Sequence, residues 1–242
     1  MTTPLEVLLA ALATAVATGL GALPFVFTAS VSPRAVAWAD AIASGLMLGA
    51  SFSLVAEGTA LSTTGTLGGA ALGVAFIVLT ERVLWKYDVP LAGLRGAGAR
   101  RMLLILAVMT AHSFAEGVAV GVSFGGGATL AAAITIAIAV HNIPEGLAIS
   151  AVLRPQGIGL IACAGWSVLS SLPQPIMAVP AWLFVERVRP VLPWGLGFAA
   201  GAMVYMVLKE LLPEAYEQAP ARHVALLVSL SMVAMVLLQR YL

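Results

Sequence analysis

The 242-residue chain is 61% hydrophobic and only 10% charged, with a mean hydropathy of +1.02, so it lacks the polar surface to solvate a water-soluble globule. A formal net charge of +1 and the lack of any basic cluster interleaved with aromatics argue against a nucleic-acid partner. Apolar blocks about 20 residues long match roughly 30 Å of hydrocarbon and are too long for the alternating strands of a membrane β-barrel. The expected fold class is all-α, a polytopic membrane protein.

The first apolar block, 5–27, has Glu6 and no Lys or Arg ahead of it and is longer than a signal-peptide core, so it reads as a retained first span. Ser32-Pro33-Arg34 separates it from a second block at 35–57, and Ser62-Thr63-Thr64-Gly65 introduces a third at 66–85. Lys86 to Arg101, with Gly93, Gly96 and Gly98, reads as a flexible linker. The fourth block, 101–124, ends at Gly125-Gly126-Gly127, and the fifth runs over 128–152. Pro155-Gln156-Gly157 opens the sixth, 157–184, where Pro173, Pro175 and Pro180 each remove a backbone hydrogen bond that lipid cannot replace. This helix is expected to bend against protein or a water-lined interior. Blocks at 192–213 and 221–241 complete eight predicted helices in one transmembrane domain, 1–242. Gly19, Gly21, Gly45, Gly49, Gly69, Gly73, Gly197 and Gly201 supply small faces for helix packing in lipid, and the lone Cys163 reads as a packed thiol.

If eight spans alternate, one side of the membrane holds Arg34, Arg82, Lys86, Arg95, Arg100, Arg101, Arg154, Lys209 and Arg222, and the other holds Arg187, Arg189 and Arg240. The positive-inside bias then places the linker in the cytoplasm and both termini outside.

Chemistry concentrates in a repeat: HSFAEGVAVGVS begins at His112 and HNIPEGLAIS at His141, each near the middle of a predicted span. His and Glu four residues apart on a helix lie about 400° apart in rotation, on one face and one turn apart. A short glycine loop makes the two helices antiparallel, so a local pseudo-twofold axis is expected to set His112 beside Glu145 and His141 beside Glu116. Intramembrane carboxylates cost a few kcal/mol each and persist when paired or functional. Glu116 and Glu145 together carry the charge that neutralises one dication, and imidazole with carboxylate suits Zn²⁺, and also Fe²⁺, Mn²⁺, Co²⁺, Ni²⁺ or Cd²⁺. Gly117 and Gly146 leave room for close helix approach, and Pro144 frees the carbonyl of Val140.

These paired motifs resemble those of ZIP (Zrt/Irt-like protein) metal transporters, especially the bacterial GufA-like branch. The likeness extends to SGLMLGASFSLVAEG in the second span, SLPQPIMA in the sixth and GFAAGAMVYMVLKELLPEA in the seventh. It implies eight helices in a three, two, three inverted-repeat arrangement, extracytoplasmic termini, and a metal path between helices two, four, five and seven. It also implies a primary site of His112, Glu116, His141 and Glu145, with Met47 as a thioether contributor. Three positions that help build a second, adjacent metal site in family members are neutral here: Ser113, Asn142 and Gln174. A single metal per site is therefore expected.

Glu57, at the outer end of the second span, is a candidate to attract cations at the entrance, and Asp40, near its cytoplasmic start, a candidate to line the exit. The functional expectation is a divalent-metal transporter, zinc foremost, moving the cation into the cytoplasm across a bacterial inner membrane, with no prosthetic group. The alternatives are an intramembrane metallohydrolase and a membrane metal sensor using the same ligands. The hydrolase lacks support: no HExxH occurs, and each mid-membrane carboxylate is already assigned to the metal. The expected partners are the divalent cation and the lipid bilayer, with a homodimer left open.

Overall fold

The computed structural model describes residues 2–28, 30–86 and 97–241, and every regular element among them is helical. The helices are α1 (Pro4–Leu20), α2 (Pro33–Leu61), α3 (Thr63–Lys86), α4 (Ala97–Gly125) and α5 (Ala128–Leu153), followed by α6 (Leu160–Ser170), α7 (Pro173–Arg187), α8 (Leu192–Met206), α9 (Leu212–Gln218) and α10 (Ala221–Tyr241). Seven helical stretches among the described residues are long and apolar enough to cross a bilayer. The chain is an all-α polytopic membrane protein.

Local chemistry sets the helix ends. Thr3 and Glu6 form a reciprocal capping box at α1, the Thr3 N–H donating to Glu6 Oε2 at 2.9 Å and the Glu6 N–H to Thr3 Oγ1 at 3.3 Å, with Pro4 at the first helical position. Ser32 caps α2 one way, its hydroxyl accepting from the Ala35 N–H at 3.2 Å, ahead of Pro33. Between α4 and α5, Gly127 takes φ 109°, a left-handed conformation that a side chain would resist. Several boundaries move from their expected places: α1 ends at Leu20, short of 27, α6 starts at Leu160 and α7 runs on to Arg187. α2 runs on to Leu61, α3 starts at Thr63, and α4 starts at Ala97, inside the expected linker, whose residues 87–96 lie outside those described. The seventh block continues past 213 to Gln218.

Two helices depart from regularity, and proline accounts for both. The sixth block does not merely bend; it breaks into α6 and α7, because Pro173 and Pro175 cannot donate to the preceding turn and their rings crowd it. Ser171 and Leu172 bridge the break with short-range bonds to Val168 and Leu169 carbonyls, at 3.1 and 3.2 Å. In the seventh block, Val207–Leu211 widen into a π-turn just ahead of Pro213, which has no N–H to give.

α3 lies along α8 and α10 along α2, while α4 packs on α7, and α1 on both α5 and α7. The two sets meet where α2 crosses α5 and α8 crosses α4. Small residues make these approaches: a methyl added at Gly69, Gly73, Gly197 or Gly201 would overlap a carbonyl oxygen of the facing helix. Lipid tails are as apolar as the side chains, so such backbone proximity supplies dispersion contacts where hydrophobic burial cannot. Cys163 is buried and unbridged, as expected of a packed thiol.

Candidate metal centre

α4 and α5 are joined by the glycine turn and run antiparallel, each bringing its His and Glu to the same depth. His112 Nε2 lies 2.9 Å from Glu145 Oε1, and His141 Nε2 lies 2.6 Å from Glu116 Oε1. His112 also approaches Glu116 Oε1 of its own helix at 3.6 Å. All four side chains are at most 3% exposed. The cross-helix pairs are those the antiparallel geometry predicts.

The four do not form an even ring. His112, Glu116 and Glu145 each offer a ligand atom within 4.8 Å of the other two. His141 joins this group through its bond to Glu116. Neither His112 Nδ1 nor Nε2 has an aligned hydrogen bond, and neither does Glu145 Oε1, despite the 2.9 Å separation. Buried polar atoms are seldom left so, because each costs about 1–3 kcal/mol unsatisfied. A buried imidazole nitrogen and carboxylate oxygen 2.9 Å apart are the donor types a dication binds.

Glu116 is held from its other side as well. Gln174, the second residue of α7, donates from Nε2 to Glu116 Oε2 at 2.6 Å. The helix break delivers Gln174 there, and Gly117 permits it: a methyl on Gly117 would sit 2.6 Å from the Gln174 carbonyl oxygen and 2.7 Å from its Cα. Asn142 donates to Gln174 Oε1 at 3.2 Å and to the Thr14 carbonyl at 2.8 Å. The Thr14 hydroxyl, 2.6 Å from Gln174 Oε1, completes the cluster. Thr14 and its neighbours Thr18 and Ser171, whose hydroxyls meet at 2.8 Å, escaped the sequence reading. The signal was present in Thr14, Thr18 and Gly21, spaced four and three residues apart along an otherwise apolar helix.

The remaining candidates are placed more loosely. Ser113 is buried next to His112. Met47 is fully buried in the apolar cluster that contains Ala50, Ala115, Ile134 and Ile138. Asp40 is 2% exposed on α2 with Oδ2 unpartnered, and Glu214 and Glu145 are near enough to act on it electrostatically. Glu57 is half-buried one turn inside the end of α2, which continues four residues beyond it.

A buried carboxylate and imidazole cluster midway along α4 and α5, in a chain with seven helical stretches fit to cross a bilayer among its described residues, defines an integral membrane protein with a candidate metal centre in its interior. The chain belongs to the ZIP zinc transporter family: the family profile described as ZIP Zinc transporter matches residues 93–238. The family is one of transporters and not of enzymes, which removes the ground for the hydrolase reading. A protein of Arabidopsis thaliana named provisionally as a zinc transporter is 43% identical over 93% of this chain, which spans 37% of that protein's length. The zinc transporter GufA of Myxococcus xanthus is 35% identical, over 86% of this chain and 88% of its own. The zinc transporter ZIPB of Bordetella bronchiseptica is 32% identical, over 83% and 69% respectively.

Proposed function

We propose that this chain carries a divalent transition metal, zinc foremost, into the cytoplasm through a site made by His112, Glu116, His141 and Glu145. The observation that carries this reading is the buried group of His112, Glu116 and Glu145, whose ligand atoms lie within 4.8 Å of one another while His112 and Glu145 Oε1 make no aligned hydrogen bond. Relatives named zinc transporters support the choice of metal. α2 gives the route: Glu57 near its outer end and Asp40 near its inner end bracket the site over about 25 Å of helix at 1.5 Å per residue. The basic residues flanking the spans, together with bacterial relatives, support a plasma-membrane location with both termini outside and α4 as an eighth span. A shared site between helices that pack in two sets suits alternating exposure to the two sides.

Uptake of a panel of divalent metals into proteoliposomes tests the proposal. The wild type is expected to move zinc, and His141→Ala to slow it at least about tenfold, the scale of one lost partner near a metal. Unchanged flux in the variant overturns the site. Binding without flux overturns transport.

The same residues support a stoichiometry of one metal. Glu116 and Glu145 together balance one dication, and a second would leave a buried surplus near +2. The flank of Glu116 where a second ion would bind is taken by the Gln174 amide, 2.6 Å away. Elemental analysis of the purified protein is expected to give one zinc per chain, and anomalous scattering from two fully occupied ions touching Glu116 would sink the idea.

A further inference from the structure

We propose that Thr14, on a helix that contributes no metal ligand, is a positioning residue that makes Glu116 a one-oxygen donor and so tunes the centre toward small, four-coordinate cations. The inference rests on the metal-site reading above and adds to it a residue that fixes the coordination mode.

The polarity of the cluster can be read from one atom. The Thr14 carbonyl can only accept, so the Asn142 side-chain atom 2.8 Å from it is the nitrogen. That nitrogen gives its second proton to the Gln174 atom 3.2 Å away, which must then be the oxygen. The other end of the Gln174 amide is therefore the N–H₂ group, and it donates to Glu116 Oε2 at 2.6 Å. The Thr14 hydroxyl adds a second donor to Gln174 Oε1; its one proton is shared between that oxygen, at 2.6 Å, and the Ala11 carbonyl, at 2.7 Å. Thr14 thus acts twice, through its backbone and its hydroxyl, to turn the Gln174 amide toward Glu116.

The consequence falls on the carboxylate. With Oε2 held by the amide, Oε1 is the oxygen left to face the imidazoles, 2.6 Å from His141 and 3.6 Å from His112. A one-oxygen carboxylate keeps the coordination number low, which suits Zn²⁺, whereas a two-oxygen carboxylate favours larger cations. The helix beneath Thr14 is anchored at two further points. One turn along α1, Thr18 bonds Ser171 at 2.8 Å, and Gly21 and Gly146 bring the α1 and α5 backbones into contact.

The test uses the full chain in detergent, loaded with Co²⁺ as a spectroscopic probe and titrated separately with Zn²⁺ and Cd²⁺. Thr14→Val keeps the shape and deletes the hydroxyl, so Gln174 loses one of its two donors and the hold of its amide on Glu116 Oε2 is weakened. The visible cobalt bands are expected to weaken as coordination number rises, and the preference for Zn²⁺ over Cd²⁺ to fall about tenfold. Thr14→Ser, which restores the hydroxyl, is expected to return both to wild-type values. Asn142→Leu removes the other donor to Gln174 and is expected to shift the cobalt spectrum in the same direction, giving a readout even where Thr14→Val fails to fold. A wild-type spectrum in both Thr14→Val and Asn142→Leu, or a serine variant as altered as the valine one, overturns the proposal. Glu116→Ala separates the two layers: if it leaves cobalt binding and spectrum untouched, the site reading itself has failed.

Discussion

Glu116→Ala is expected to abolish zinc flux in proteoliposomes, by at least about 100-fold. Its carboxylate is the hub of the centre, bonded through Oε1 to His141 and through Oε2 to Gln174, both at 2.6 Å, with no exposure to solvent. Truncation removes one of the two charges proposed to balance the dication and leaves the His141 ring and the Gln174 amide without their acceptor in a buried interior. Removing one partner of a buried charged pair costs about 3–5 kcal/mol, and about 1.4 kcal/mol is tenfold in affinity, so a 100-fold loss is the lower bound. Glu116→Gln refines the test. It keeps the volume but not the charge, so packing is retained while binding is lost. Titration with zinc by calorimetry, alongside flux, checks both variants; a Glu116→Gln protein that transports zinc at the wild-type rate contradicts the role given to this charge.

The second large effect concerns stability. Gly146 follows Glu145 directly and faces α1, where a methyl group would overlap the Thr18 carbonyl oxygen. The obstacle is backbone, so it cannot turn aside as a flexible side chain would. Alanine improves helix propensity by about 1 kcal/mol over glycine, whereas overpacking costs roughly 1–3 kcal/mol and sits at its upper end against a fixed carbonyl. Overlap wins by about 2 kcal/mol, which corresponds to a fall in Tm of about 4–8 °C for a chain of this size. Gly146→Ala is therefore expected to melt earlier in detergent. Gly165→Ala, inside α6 where nothing lies within 4 Å of the added methyl, gains the propensity without the overlap and is expected to melt slightly above the wild type. Equal melting of the two variants refutes the account of the α1–α5 contact.

The two effects are linked through α1. This helix has none of the proposed ligands, yet it holds α5 through Gly21 and Gly146, α7 through Thr14 and the break ahead of α7 through Thr18. Displacing it moves Asn142 and Gln174 together, and with them the donor on Glu116. Gly146→Ala tests the placing of this helix, and Thr14→Val tests the proposed hydrogen-bond chain that leaves it.

Much of this was legible in the chain itself. Hydrophobic blocks of spanning length dictate helices, because a bilayer offers no partner to an unpaired backbone group. The spacing of His112 with Glu116 and of His141 with Glu145 dictates that each pair shares a face, since four residues exceed a full turn by only about 40°. The glycine turn between them dictates the antiparallel pairing that sets His112 against Glu145. These features are local, and local geometry follows from local sequence.

Tertiary structure decided the rest. Three prolines announced a disturbed sixth span, but only the packing of α7 on Gly117 turns the break into a device that carries Gln174 to Glu116. The neutrality of Asn142 and Gln174 was visible; that their amides form a directed chain ending on Glu116 Oε2 was not, because its first acceptor is a backbone carbonyl on α1, 128 residues from Asn142. His141 meets the group of three through Glu116 alone, at 2.6 Å, a detail that helical periodicity cannot resolve. Spacing along a helix fixes which side chains share a face. Which of their atoms meet depends on how closely the helices approach, and here glycines on three different helices set that distance.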